Sequence, residues 1–191
     1  MSRKSLSALT VVTTVLTVVA AVALDPFLRA WVGADIASSS APVGEILLIG
    51  MWVNCLAVVP FAFLQARGRP DLPAKLHLLE VGPYIGGLII GLHLAGIQGA
   101  AWAWSGRAAA DAVLLFWAAR NVSKGTALAD WRELVGGSMF AIAACVASLT
   151  IFDALSVRLV VGGGLVIGCL IWAWRIAPAQ ARLHLLRRRL S

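Results

Sequence analysis

Long apolar runs separated by short polar turns set the pattern of this chain. Leu6–Leu24, Ile46–Ala66, Val81–Gly106 and Leu134–Phe152 contain no Asp, Glu, Lys or Arg. Such runs match the roughly 20 residues that a helix needs to cross a bilayer. Leu159–Trp174 is shorter but extends into its flanks, and Gly99–Ala119 is broken only by Arg107 and Asp111. The runs are continuous rather than alternating, which favours helices over a closed barrel as the way to satisfy backbone polar groups in lipid. The pattern predicts an all-α integral membrane protein with about six transmembrane helices, over 6–24, 43–66, 77–95, 99–119, 134–152 and 157–175.

Turn residues punctuate these spans. Asp25-Pro26 is expected to end the first, and the outer segment 27–42, with Trp31 and the run Ser38 to Ser40, to lead through Pro42 into the second, with room for a short interfacial helix. Pro60 is expected to kink span two. Gly96-Ile-Gln-Gly99 is a very short turn, so spans three and four should form an antiparallel helical hairpin. Gly82/Gly86 and Gly87/Gly91 have the small-xxx-small spacing that lets helices approach closely. In span one Ser7, Thr10, Thr14, Thr17 and Ala21 fall on one face, which suits either helix packing or a hydrated cavity. In span two Asn54, Val58, Phe61 and Gln65 share a face with an amide at each end, and an amide in lipid needs a partner.

Composition sharpens this picture. Of the 191 residues, 60% are hydrophobic and 13% charged, about half the charged share of a soluble domain. The net charge of +7 invites a nucleic-acid reading, but its distribution argues for topology instead. With the N-terminus inside, the basic residues of the inner segments are Arg3, Lys4, Arg67, Arg69, Lys75, Arg120, Lys124, Arg132, Arg175, Arg182 and Arg187 to Arg189. Only Arg29 and Arg158 fall outside, and Arg107 lies within a span. The positive-inside rule then gives an N-in, C-in orientation. The tail 178–191 is a basic cytoplasmic stretch with interleaved leucines, suited to an anionic leaflet. The first apolar run is too long for a typical signal-peptide core and shows no clear cleavage site. Cys55, Cys145 and Cys169 lie in spans without metal-like or paired spacing and read as small core residues.

The chemistry lies in the few charges at membrane depth, where charge is expensive and usually functional. Arg107 and Asp111 both fall within about 4 Å of the middle of span four at ~1.5 Å rise per residue. They are an i, i+4 pair and could neutralise each other. The base-before-acid order is the weaker one, however, which favours partners elsewhere. An Arg facing a hydrated cavity would attract an anion, a pyrophosphate being well matched to its forked donors, and Asp111 would then orient it. Lys75, His77 and Glu80 form a second cluster at the inner mouth of span three, readable as snorkelling and helix-start chemistry or as a gate or headgroup contact. His93 reads as an interfacial residue before a proton relay. No nucleophile elbow, phosphate loop or metal-binding spacing is present, so no enzyme is expected.

Several segments in their order carry a resemblance. These are Phe27-Leu-Arg-Ala-Trp-Val-Gly33 with the serine run, Gly50-Met-Trp-Val-Asn54, and Pro60-Phe-Ala-Phe-Leu-Gln-Ala-Arg-Gly-Arg-Pro-Asp71. Ala74-Lys-Leu-His-Leu-Leu-Glu80, Gly96-Ile-Gln-Gly-Ala-Ala-Trp-Ala-Trp-Ser105 and Arg107-Ala-Ala-Ala-Asp111 complete the set. Together they resemble bacterial oligosaccharide flippases, the Wzx-like polysaccharide exporters of the multidrug/oligosaccharidyl-lipid/polysaccharide superfamily. The resemblance covers roughly residues 5–120. It implies that 1–120 corresponds to the last four helices of the second lobe of a two-lobed flippase, 121–177 to two additional C-terminal helices, and 178–191 to a tail. It implies a multi-pass protein of the bacterial plasma (inner) membrane that exports polysaccharide precursors by alternating access. The expected partners are membrane lipid, a polyprenyl-pyrophosphate-linked oligosaccharide, and a missing N-terminal half or partner subunit. No bound cofactor and no nucleic acid are expected. Arg107, Lys75 and Asn54 are the expected substrate-binding residues, and Asp111, Glu80, His77 and Tyr84 the supporting or gating ones. The alternative is a non-transporting scaffold or subunit of a polysaccharide-assembly complex.

Overall fold

The computed structural model describes residues 3–123 and 163–172, with side chains in the first helix from Leu9 onward. The described residues are helical almost throughout. Helix α1 is Arg3–Val32, α2 is Ala34–Ala66, α3 is Asp71–Val122 and α4 is Gly163–Trp172. The first three are long and apolar enough to cross a membrane. Expected span five and the tail lie outside the described residues, as do Cys145 and Trp131; of expected span six, only α4 is described.

Two boundaries differ from the expectation. Pro26 lies inside α1 and Pro42 inside α2, so neither Asp25-Pro26 nor the serine run marks a helix boundary. A proline removes one backbone donor and crowds one carbonyl, a local defect that flanking interactions can offset. Here Asp25 Oδ2 accepts from Arg29 Nε at 2.8 Å across the proline, in the favourable acid-first i, i+4 order. The real break is Gly33, whose φ of 88° suits glycine. Helix α2 likewise continues through Pro60.

Helices α1 and α2 form an antiparallel pair. Gly44 sits against the Leu24 side chain at one end, and Trp52 Nε1 donates to Thr14 Oγ1 at 2.9 Å further in. The hydroxyl face of α1 is this interface: Thr10, Thr14, Thr17 and Ala21 are all buried. Thr14 also donates to the Thr10 carbonyl at 2.6 Å, so the face packs rather than lining a hydrated cavity. Cys169 of α4 is buried with Val18 and Ala21 of α1.

Helix α3 is two arms, broken where Ala95 (φ −140°) and Gly96 (φ 58°) leave helical geometry. The arms fold back on each other, and Gly91 meets Gly99 backbone to backbone with no room for a Cβ on either. This is the antiparallel hairpin that the short glycine turn implies. The second arm runs parallel to α2. Ser105 Oγ donates to the Ile46 carbonyl at 2.9 Å, and Gly50 admits the Trp104 and Ser105 side chains. Further along, Ala57, Phe63 and Leu64 form one apolar core with Ala112, Leu115, Ala118 and Ala119. The first arm contributes Leu72 and Leu76 to its margin. Elsewhere that arm exposes Leu78, Leu79, Val81, Ile85, Ile89 and Ile90, an apolar surface of the kind that faces lipid or another helix.

The glycine contact gives a direct test. Gly99→Val forces a branched side chain into the Gly91 carbonyl and should destabilise the folded protein by about 1–3 kcal/mol. Gly82→Ala, at a helical position with open space around it, should leave stability unchanged or raise it by up to about 1 kcal/mol. Thermal unfolding followed by gel filtration in detergent distinguishes the two. Equal melting of both variants would contradict the close approach.

Candidate functional site

The hairpin brings four ionisable side chains together between two arms of an otherwise apolar helix. Glu80 and His77 lie one turn apart on the first arm, and Arg107 and Asp111 one turn apart on the second. The pairing runs between arms. His77 Nε2 is 3.0 Å from Asp111 Oδ1, and Arg107 Nη1 is 3.6 Å from Glu80 Oε2. The Asp111 carboxyl also faces Glu80. Asp111 therefore serves His77, and the expectation that it orients Arg107 is corrected. The physical reason is the hairpin: the arms lie close enough that each charge meets an opposite partner across the gap, so the weaker intrahelical pairing is not needed.

Burial is uneven across this group. The Glu80 and Asp111 side chains are 7% and 8% exposed, whereas Arg107 is 32% and His77 43% exposed. Both Glu80 oxygens and Asp111 Oδ1 are buried and make no hydrogen bond among the described residues. Two carboxyl groups buried side by side with so few donors are costly in a medium of low dielectric.

Two clefts flank the cluster. One, of about 330 Å³, lies between the arms and is lined by Glu80, Pro83, Tyr84, Gly87, Gly106 and Arg107, among others. The Arg107 guanidinium is 5.5 Å from the centre of the Tyr84 ring, a distance at which a cation is attracted to the aromatic face. The other, of about 130 Å³, lies between α2 and the hairpin and is lined by Asn54, Val58, Phe61, His77, Asp111 and Leu115. Phe61 stacks on His77, with centroids 6.0 Å apart and planes 8° from parallel.

The residues singled out in the sequence are therefore divided. Arg107, Glu80 and Tyr84 line the inter-arm cleft, while Asn54, His77 and Asp111 line the α2 cleft. Lys75 is exposed, lines neither, and pairs with Asp71 at 3.7 Å. His93 is exposed and separate from the cluster. Glu45, on the buried face of α2 at 1% exposure, escapes a reading based on charge-free runs because it sits just before the run that starts at Ile46.

In the turn below the cluster, Arg69 donates to Asp71 through Nε at 3.1 Å and Nη2 at 3.4 Å. That hydrogen-bonded guanidinium holds the Asp71 carboxyl below its ordinary range.

Comparison with known proteins agrees with the sequence resemblance. The chain is 38% identical over 90 residues to a protein of Shigella flexneri named "Putative O-antigen transporter", a match covering 47% of this chain. The chain spans about a fifth (22%) of the length of that relative. The resemblance to Wzx-like flippases is thereby supported by a curated transporter. No protein-family model matches the chain, and no solved structure matches it. The three apolar helices and a relative named as a transporter agree in pointing to a membrane protein.

Two outcomes follow from the geometry. A double-mutant cycle of His77→Ala and Asp111→Ala should give a coupling of about 0.5–3 kcal/mol, and one of Arg107→Ala and Asp111→Ala a smaller value; the reverse order would contradict the cross-arm pairing. Asp71, with its depressed folded value, adds stability above its unfolded pKa that is lost as pH falls through the folded one. Carbon-13 titration of its carboxyl should show a midpoint that rises towards the ordinary aspartate value in Arg69→Ala.

Proposed function

We propose that this chain is part of a transporter that moves a lipid-linked oligosaccharide across the bacterial plasma membrane, and that Arg107 contacts the anionic headgroup. The observation that carries this reading is the Arg107 side chain. It lies within a helix long and apolar enough to cross a membrane, is partly exposed to a cleft of about 330 Å³, and makes one long ion contact and no hydrogen bond among the described residues. A guanidinium so placed keeps forked donors for phosphate oxygens. The apolar flank of the cleft, with Leu79, Ala103 and Leu114, suits a prenyl chain that stays in the bilayer. The relative named as an O-antigen transporter supports the substrate class.

In this reading the turn at 67–70 is cytoplasmic, the N-terminus is inside and the protein spans the membrane several times without enzymatic activity. Residues 1–120 correspond to the end of one flippase lobe, and the rest of the lobes comes from further chain or a partner subunit. Asn54, which lines the α2 cleft, takes a hydroxyl of the sugar rather than the phosphate in this reading. Lys75 acts at the mouth, through the charge of the turn. The scaffold reading has one observation in its favour: Gly82 and Gly86 face open space on the first arm, a surface suited to another helix. The same surface serves an inter-lobe contact in a transporter.

Transport of a fluorescent polyprenyl-pyrophosphate saccharide in proteoliposomes tests the role of Arg107 in the assembled transporter. Arg107→Ala should slow transport at least about tenfold, in line with losing a charge-assisted hydrogen bond worth ~1.5–3 kcal/mol, while membrane insertion is unchanged. Arg107→Lys, which keeps charge but not the fork, should fall between. Wild-type rates in Arg107→Ala would overturn the assignment.

A further inference from the structure

Resting on the reading of Arg107 as an anion contact, the arrangement of Glu80 carries a further step. Glu80 is almost fully buried, faces the inter-arm cleft, and has no hydrogen bond to either oxygen among the described residues. Its compensating charge is Arg107, at 3.6 Å. Asp111 stands on its other side and is itself held by His77 at 3.0 Å. No titratable residue of α2 lines either cleft. Glu80 thus faces Arg107, Asp111 and the imidazole of His77, with Tyr84 one turn away on its own arm.

We infer that Glu80 is an internal competitor for Arg107, occupying the guanidinium in the empty cleft and taking up a proton when an anionic headgroup displaces it. The chemistry is an exchange of counter-ions. A pyrophosphate that engages Arg107 brings its own negative charge beside Glu80. A buried carboxylate that loses its cation and keeps a like-charged neighbour cannot stay ionised at low cost. A proton from water in the cleft neutralises it, and no covalent bond changes. Glu80 therefore sets the pH range in which the cleft accepts an anion. At high pH the ligand must compete with a carboxylate for Arg107, and at low pH it meets a neutral carboxyl.

The test uses farnesyl pyrophosphate as probe and the full chain in neutral maltoside micelles, with binding measured calorimetrically at about pH 8 and about pH 5.5, the second closer to the ordinary carboxylate range. Glu80→Gln should bind about tenfold more tightly than wild type at the higher pH and within about threefold of it at the lower, the scale expected when one opposing charge is removed. The probe's own ionisation is common to both proteins and cancels in the ratio. His93→Gln, at an exposed position separate from the cluster, should keep a wild-type profile, which ties the pH effect to the cluster. Wild type should also take up close to one proton on binding at intermediate pH, seen as a dependence of the binding enthalpy on the buffer, whereas Glu80→Gln should not. Identical pH profiles in wild type and Glu80→Gln, or weaker binding by Glu80→Gln at both values, overturn the competitor role. Should Glu80→Gln fail to give a monodisperse protein, Glu80→Ala takes its place, with the same expected and overturning results. Unchanged binding in Arg107→Gln would instead overturn the anion reading on which it rests.

Discussion

Charge at membrane depth has to be neutralised locally, and that constraint organises the described part of this protein. Arg107, Asp111, Glu80 and His77 can coexist there because two helical arms lie side by side, with Arg107 facing Glu80 and His77 facing Asp111 across the gap. The arrangement depends on the reversal at Ala95–Gly96 and on the Gly91–Gly99 approach. A side chain at either glycine would push the arms apart and lengthen both ion contacts. The second arm is in turn fixed on α2 by the Ser105 to Ile46 hydrogen bond and the cleft at Gly50. Small residues, which contribute little burial themselves, thus decide whether the charged ones are paired.

The site is polarised. The inter-arm cleft presents a cation, an aromatic ring and the carboxyl group of Glu80. The α2 cleft presents an amide, an imidazole and a carboxylate, which suits hydroxyl groups. Asp111 and Glu80 stand between them, so a change of charge in one cleft is felt in the other. That connection follows from contact between the four groups and requires no longer pathway.

Much of this was legible in the sequence because it is local. The hairpin is written in Gly96-Ile-Gln-Gly99, and the membrane class in uninterrupted apolar runs. The reversed order of Arg107 and Asp111 correctly indicated partners on another element. The identity of those partners was not legible, since it depends on how the arms are rotated about the hinge. The same holds for Thr14, whose partner Trp52 comes from another helix. Pro26 and Pro42 misled for a different reason. Proline is a strong local breaker, but a helix sustained on both sides by packing and by an ion pair such as Asp25–Arg29 tolerates it. Gly33, with its positive φ, carried the true boundary.

Solid-state NMR dipolar recoupling between the guanidinium nitrogens of Arg107 and side-chain carboxyl carbons, on protein in lipid bilayers, tests the cross-arm pairing most directly. The account predicts strong dephasing of the Arg107 signal that disappears in Glu80→Gln and persists in Asp111→Asn. Dephasing that persists in Glu80→Gln and disappears in Asp111→Asn would mean that Arg107 and Asp111 neutralise each other along one helix, and would contradict it.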